Sequence, residues 1–205
     1  MKIIVFGATG GVGKHFVKMA VEAGHEVTAF ARTPEKVTTE NVHIIKGDVF
    51  NKAAVAQAIA GHEAVISCLG SNAGMKKSRD LEQMGMNVAD GMEAAGVKRL
   101  VYCASAGVDG EIPGIAGKMM MKMLANPLAD HRNALNYLLS KDVVYTIARP
   151  MGLKNNPIQL DYTEVFDGPP SGASSIPRAS VAHFMVKALE DKKYENATVG
   201  LASKK

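Results

Sequence analysis

The chain has no tryptophan, only two cysteines and only a small excess of positive charge. Two cysteines in 205 residues cannot build a disulfide scaffold. No apolar run approaches the ~20 residues of a membrane span. The opening run, Ile3 to Phe6, is too short for a secretory signal and gives way at once to glycine. A cytoplasmic location is therefore expected. The net charge of +4 arises from 24 Lys and Arg interspersed with 20 Asp and Glu, which argues against nucleic acid as a partner. Six histidines are scattered without ligand spacing, so no metal is expected. There is no internal repeat and no low-complexity segment. What is present is a 47% hydrophobic content, enough to build a core and to exclude disorder. The length suits a single domain, 1–205.

Short β-branched apolar runs alternate with longer segments of helical period. The pattern predicts strands at Lys2–Phe6, Glu26–Phe30, Val42–Lys46, Ala64–Cys68, Arg99–Cys103 and Val143–Ala148, with a short last strand at Ala197–Gly200. It predicts helices at Val12–Ala23, Asn51–Ala60, Ser78–Ala95, Leu128–Ser140 and Ser180–Leu189. Strands that read as continuous apolar runs belong to a parallel sheet covered on both faces. The fold class is thus α/β, a doubly wound parallel sheet of order 3-2-1-4-5-6, with ligands at the carboxyl ends of the strands. Two stretches break the alternation, Ala104–Pro127 and Pro150–Pro177. Both leave strand carboxyl ends, so both are expected to wall a substrate pocket.

The first strand runs into Gly7-Ala8-Thr9-Gly10-Gly11-Val12-Gly13, and a helix follows. Gly7 permits the tight turn, Gly10 lets a diphosphate approach the backbone, and Gly13 lets the helix pack closely on the strand. The N–H groups around Gly11 and Val12 face the anion at the positive end of the helix dipole. Strand 2 ends without the acid that would take ribose hydroxyls. Arg32 and Lys36 stand instead where a 2′-phosphate would lie, so NADP(H) is the expected cofactor; the alternative is that both are solvated surface charges. Asp48 is placed to accept from the adenine amino group, or to cap the next helix, and Val49 to line the ring. Leu69 and Gly70 close strand 4 beside the ribose.

These residues, with Cys103-Ala104-Ser105-Ala106 and Tyr145-Thr146-Ile147-Ala148-Arg149-Pro150, resemble the atypical short-chain dehydrogenase/reductases. More narrowly they resemble the flavin reductase/biliverdin-IXβ reductase group. The likeness extends to Tyr162–Gly168 and Ala182-His183-Phe184-Met185. The resemblance implies a Rossmann-like monomer with NADPH in an open cleft, held by Gly7, Thr9, Gly10, Gly11, Val12, Arg32 and Lys36. It implies an active-site serine at Ser105 and a nicotinamide-backing segment at Pro150, Met151 and Gly152. The chain departs from that group at Met151 and Leu135, where its members carry histidines.

Tyr137 and Lys141 spell the Tyr-x-x-x-Lys of better-known reductases, but they fall at the far end of their helix, at the wrong edge of the sheet. Ten residues at ~1.5 Å each put Lys141 roughly 15 Å from His131, which starts near the ligand edge. Ser105 has no base nearby in sequence to make it a nucleophile. Its hydroxyl is expected either to orient nicotinamide or substrate, or to satisfy its own turn. His131 either approaches the pocket or caps its helix. Cys68 and Cys103 are expected to be buried thiols. Met119, Met120, Met121 and Met123 suit an adaptable apolar wall, or simply an amphipathic helix. With no internal acid in sight, a planar acceptor that draws its proton from water fits best: a flavin, a quinone or a bilin-like tetrapyrrole. The competing expectation is a regulator resembling NmrA-like proteins, which keeps the dinucleotide cleft and senses NADP(H).

Overall fold

The computed structural model describes residues 1–166, 168 and 174–204. The apolar runs form β1 (Lys2–Phe6), β2 (Glu26–Ala31), β3 (Val42–Lys46), β4 (Ala64–Ser67), β5 (Arg99–Cys103) and β6 (Val144–Pro150). Along β1, Ile3 and Val5 point to one face and Ile4 and Phe6 to the other, and all four are buried. Both faces of the sheet must therefore be covered. On one face lie α1 (Gly13–Glu22) and α6 (Arg178–Glu190), packing Phe16, Val17, Val181 and Met185 on the sheet. On the other lie α2 (Lys52–Ile59), α3 (Asp80–Ala95) and α5 (Ala125–Leu139), packing Ile59, Val88, Met92, Leu135 and Leu138. The three helices pack closely through small residues: a side chain on Gly85 would meet Ala134, and one on Gly91 would meet Ile59.

The remaining strands are β7 (Gly152–Lys154), β8 (Tyr162–Val165), β9 (Ser175–Pro177) and β10 (Ala197–Ser203). The main sheet has the order β3-β2-β1-β4-β5-β6-β10-β8. Its pairs are parallel except the last, where β8 runs antiparallel to β10 at the edge. The predicted 3-2-1-4-5-6 order is therefore present, extended by two strands. The strand order reverses between β1 and β4, and loops leaving those two strands diverge to open a crevice.

Several predicted boundaries move. Helix α5 starts at Ala125 rather than Leu128, because Pro127 sits in the first turn, where its missing N–H would have had no partner anyway. The methionine-rich stretch forms its own helix, α4 (Gly114–Met123). Within Pro150–Pro177 the chain forms β7 and β9, which pair with each other and pin the two ends of the insert, and the edge strand β8. Asp167, within the segment that carried the resemblance, lies outside the described residues.

Candidate functional site

Two cavities open side by side at the carboxyl ends of the strands. The first, about 340 Å³, begins at the glycine turn. Gly7 has φ +78°, and a Cβ there would stand 2.3 Å from the Cys68 carbonyl oxygen. Its own carbonyl accepts from Gly10 N–H at 2.9 Å. A Cβ on Gly13 would lie 2.1 Å from that same oxygen. The turn is thus closed on itself with no room for side chains. Helix α1 leaves it with no side-chain cap, and the N–H groups of Gly11 and Val12 have no acceptor among the described residues. Two unpartnered donors at the positive end of a helix fit a diphosphate.

Around this turn the first cavity gathers Thr9, Gly10, Gly11, Arg32, Asp48, Val49, Leu69 and Gly70 from the loops after β1 to β4. Arg32 is exposed and has no ion-pair partner among the described residues. Asp48 accepts from Phe50 N–H at 3.0 Å, while the cap of α2 is Asn51, accepting from Ala54 N–H. Val12 sits beneath the turn with its side chain buried in the core. Lys36 stands outside the cavity lining, in the single helical turn Pro34–Lys36. Sequence reasoning missed Phe30, Ser71, Asp80 and Met84, which also line it. Phe30 had one indirect signal. Its ring occupies the space a Cβ on Gly47 would take, 2.3 Å away, so Gly47 is small in order to admit a residue 17 positions earlier.

The second cavity, about 350 Å³, is walled by Ser105, His131, Pro150, Met151 and Gly152, with Ile112, Met120, Met121, Leu124 and Leu128 supplying apolar surface. Among the described residues no carboxylate lines it. Met120 and Met121 line the cavity, Met120 from an exposed position, whereas Met119 and Met123 are exposed on α4 outside the lining. Ser105 donates to the carbonyl of Ala106 at 3.0 Å, so its hydroxyl is engaged by its own turn at the cavity lip. Leu135 is buried in the core, away from the lining. Arg178, the first residue of α6, joins the two cavities. It lines the second and lies against Gly11 of the first, and it donates to Asn155 Oδ1 at 2.8 Å.

An ion cluster around the buried Arg149 holds the loop beneath the second cavity. Arg149 is 4% exposed and pairs with Asp109 at 3.0 Å and Glu111 at 3.1 Å. Glu111 accepts from the N–H groups of Gly107 and Asp109, and Arg132 reaches Asp109 and the Val108 carbonyl. Tyr137 and Lys141 are far from this. Tyr137 donates to Asp90 at 2.7 Å, and Lys141 pairs with Glu93 near the opposite edge. Cys68 and Cys103 are free thiols; Cys103 is buried as expected, whereas Cys68 is only half-buried because it lies in the wall of the first cavity. Burial pushes both pKa values up, that of Cys103 to about 12.

The opposite rim holds a broader hollow of about 690 Å³ bordered by His25, Glu63, Lys98 and Glu190. There His25 Nε2 lies 3.2 Å from Glu190. The first cavity, by contrast, carries Arg32 without an ion-pair partner among the described residues, together with the carboxylates of Asp48 and Asp80. Among the described residues no helix is long and apolar enough to cross a membrane, and no group of His, Cys, Asp and Glu is placed to hold a metal ion.

Comparison with known proteins agrees with this geometry. The profile of a family described as NAD(P)H-binding matches residues 7–192. An uncharacterised chloroplastic protein of Arabidopsis thaliana is 28% identical over 169 residues, which is 76% of this chain and 60% of that one. A Rossmann-fold NAD(P)-binding family protein of Shigella flexneri superposes with TM-score 0.79 at 27% identity, covering 98% of this chain and 93% of that chain. An anaerobillin reductase of Escherichia coli O157:H7 superposes with TM-score 0.80 at 21% identity, covering 99% and 97%. The chain belongs to the NAD(P)H-binding family and has a Rossmann-like fold.

Proposed function

We propose that this protein is an NADPH-dependent reductase whose acceptor is a planar conjugated small molecule: a flavin, a quinone or a bilin-like tetrapyrrole. The observation that carries this is the pairing of the cavities. A phosphate cradle and an apolar pocket that no carboxylate lines among the described residues lie at one sheet edge, and Arg178 of the pocket lies against Gly11 of the cradle. The N–H groups of Gly11 and Val12 would hold the diphosphate. Arg32, with Lys36 beside it, would take the 2′-phosphate and set the preference for NADP(H) over NAD(H). Asp48 and Val49 would hold the adenine, and Leu69 and Gly70 the ribose. Pro150, Met151 and Gly152 would back the nicotinamide, with Ser105 orienting its carboxamide or the acceptor oxygen. When bound, the reduced nicotinamide supplies hydride from its C4. Met120 and Met121 provide a pliable wall for a flat ring system. The E. coli neighbour named an anaerobillin reductase supports the bilin-like choice.

The test is stopped-flow loss of NADPH absorbance with FMN, riboflavin, menadione and biliverdin. Turnover with at least one is expected. Micromolar NADPH binding without turnover of any, together with equal affinity for NADP+ and recovery of a protein partner, would replace the reductase with a redox-sensing regulator.

A further inference from the structure

His131 is placed for chemistry that neither Ser105 nor the cofactor-holding residues perform. It lines the second cavity from α5. Its Nδ1 lies 3.2 Å from the hydroxyl of Tyr102, on β5, with the two rings edge to face. The pair decides which ring nitrogen carries the proton. Tyr102 is 2% exposed, and burial raises its phenol pKa, so it keeps its proton. Its hydroxyl has no other acceptor among the described residues. If Tyr102 accepted from Nδ1–H, its own hydrogen would be buried without a partner. Donation to Nδ1 satisfies both groups.

The imidazole is neutral at ordinary pH, because burial lowers its pKa to about 4. The neighbouring Asp130 makes no hydrogen bond to the ring among the described residues. That carboxylate is engaged by the Ser78 hydroxyl at 2.6 Å and by the N–H groups of Leu81 and Glu82. With Nδ1 accepting, the single proton of a neutral imidazole must sit on Nε2. Nε2 has no protein partner among the described residues, and it is not among the polar atoms sealed from solvent. The residue lines the second cavity, so that is where an open Nε2–H can meet a ligand.

Resting on the reductase reading, we propose that His131 is a catalytic residue. Its Nε2–H, oriented by Tyr102 as a positioning residue, donates a hydrogen bond to the acceptor oxygen on which charge collects during reduction. The acceptor class narrows accordingly, to conjugated systems carrying a ring carbonyl at the reacting edge. Such an acceptor gains the hydride at a carbon or nitrogen conjugated with the carbonyl, and its electron pair moves to the oxygen. The oxygen then takes a proton from water. The Nε2–H bond stays intact throughout, since a neutral imidazole lends a hydrogen bond without surrendering the proton, and the nicotinamide is left oxidised.

The test uses the full chain labelled with 15N-histidine. In the unliganded protein at pH 7 the His131 ring, identified by its loss in His131→Gln, is expected as the Nε2–H tautomer alone. In Tyr102→Phe it becomes a mixture of tautomers. An Nδ1–H tautomer or an imidazolium in the wild type overturns the proposal. Kinetics with NADPH and menadione supply the second arm. His131→Leu is expected to lower kcat about 100-fold with the NADPH Kd within about twofold. His131→Gln, which keeps an N–H near the Nε2 position, recovers about tenfold of that loss. A kcat for His131→Leu within about threefold of wild type, or no recovery in the glutamine variant, overturns it. If the wild-type protein reduces no acceptor, the reductase reading fails by itself. The donor is then judged by whether menadione, added to protein saturated with NADP+, shifts the Nε2–H resonance; no shift overturns it.

Discussion

The two cavities share one rim and are built by different means. The phosphate cavity is mostly backbone: a turn emptied of side chains, short loops leaving β1 to β4, and two unpartnered N–H groups. The acceptor cavity is mostly side chains. They come from an inserted helix, from α5 and from the segment after β6, and an ion cluster around the buried Arg149 holds the loop between them. The first is specified by local conformation, so it tolerates almost no change in shape. The second is specified by long-range pairing, so its apolar wall is free to vary while its anchor is not. A family can keep one cofactor and change acceptors on this plan.

If the difference is real, the two cavities break differently. The largest effect is expected from Gly7→Ala. The new Cβ would need a φ of +78° and would strike the Cys68 carbonyl. Roughly 3–5 kcal/mol of stability should be lost, with NADPH binding lost as well; thermal melts and calorimetry read both. Arg149→Met should cost somewhat less, roughly 2–3 kcal/mol, because the half-buried Glu111 loses its ion partner while the exposed Asp109 keeps Arg132. Here hydrogen exchange should quicken around 105–113 while the NADPH Kd barely moves. If Arg149→Met abolished cofactor binding as completely as Gly7→Ala, the two cavities would not be independent units.

Acid sharpens the contrast further. The His131 pKa of about 4 lies below its ordinary 6.5 because the ring is buried. Between those values the unfolded chain takes up a proton that the folded one refuses. Stability is therefore full above about pH 6.5, falls as the pH drops towards 4, and loses nothing more from this group below that. The loss is up to about 3 kcal/mol. Urea melts of His131→Leu should show a shallower decline over this window. A residual slope should remain from His62 and His183, whose pKa values are also lowered by burial. The smallest effect is expected from Arg32→Ala, an exposed side chain. NADPH binding should weaken about tenfold and NADH binding hardly at all, measured by fluorescence titration. Equal losses for both cofactors would remove the assignment of Arg32 to the 2′-phosphate.

The same division explains what was legible in the chain. Gly7, Gly10 and Gly13 announce their turn because the need for missing side chains is local, and the apolar runs announce the strands for the same reason. Helix direction was enough to separate Tyr137 and Lys141 from the ligand edge. The acceptor cavity was legible in outline, since the two long stretches after β5 and β6 do wall it, but the pairings that shape it left no trace. Arg149 meets Asp109 across 40 residues, Tyr102 meets His131 across 29, and Arg178 reaches a glycine 167 positions earlier. The position of His131 near the right edge followed from its helix, but the direction of its ring depended on a tyrosine two elements away. The edge strand β8 was hidden because it lies in a stretch holding five of the chain's eight prolines.

One turn of α5 carries adjacent residues with separate duties. Asp130 fastens the start of α3 and, through Ser78, the loop bordering the phosphate cavity, while His131 faces the neighbouring chamber. A single peptide unit is therefore a common pivot for both walls. Any tilt or slide of that turn is felt in the two compartments at once, so the spacing between the place where the nucleotide lies and the place where its electrons go is set by one rigid part rather than by two.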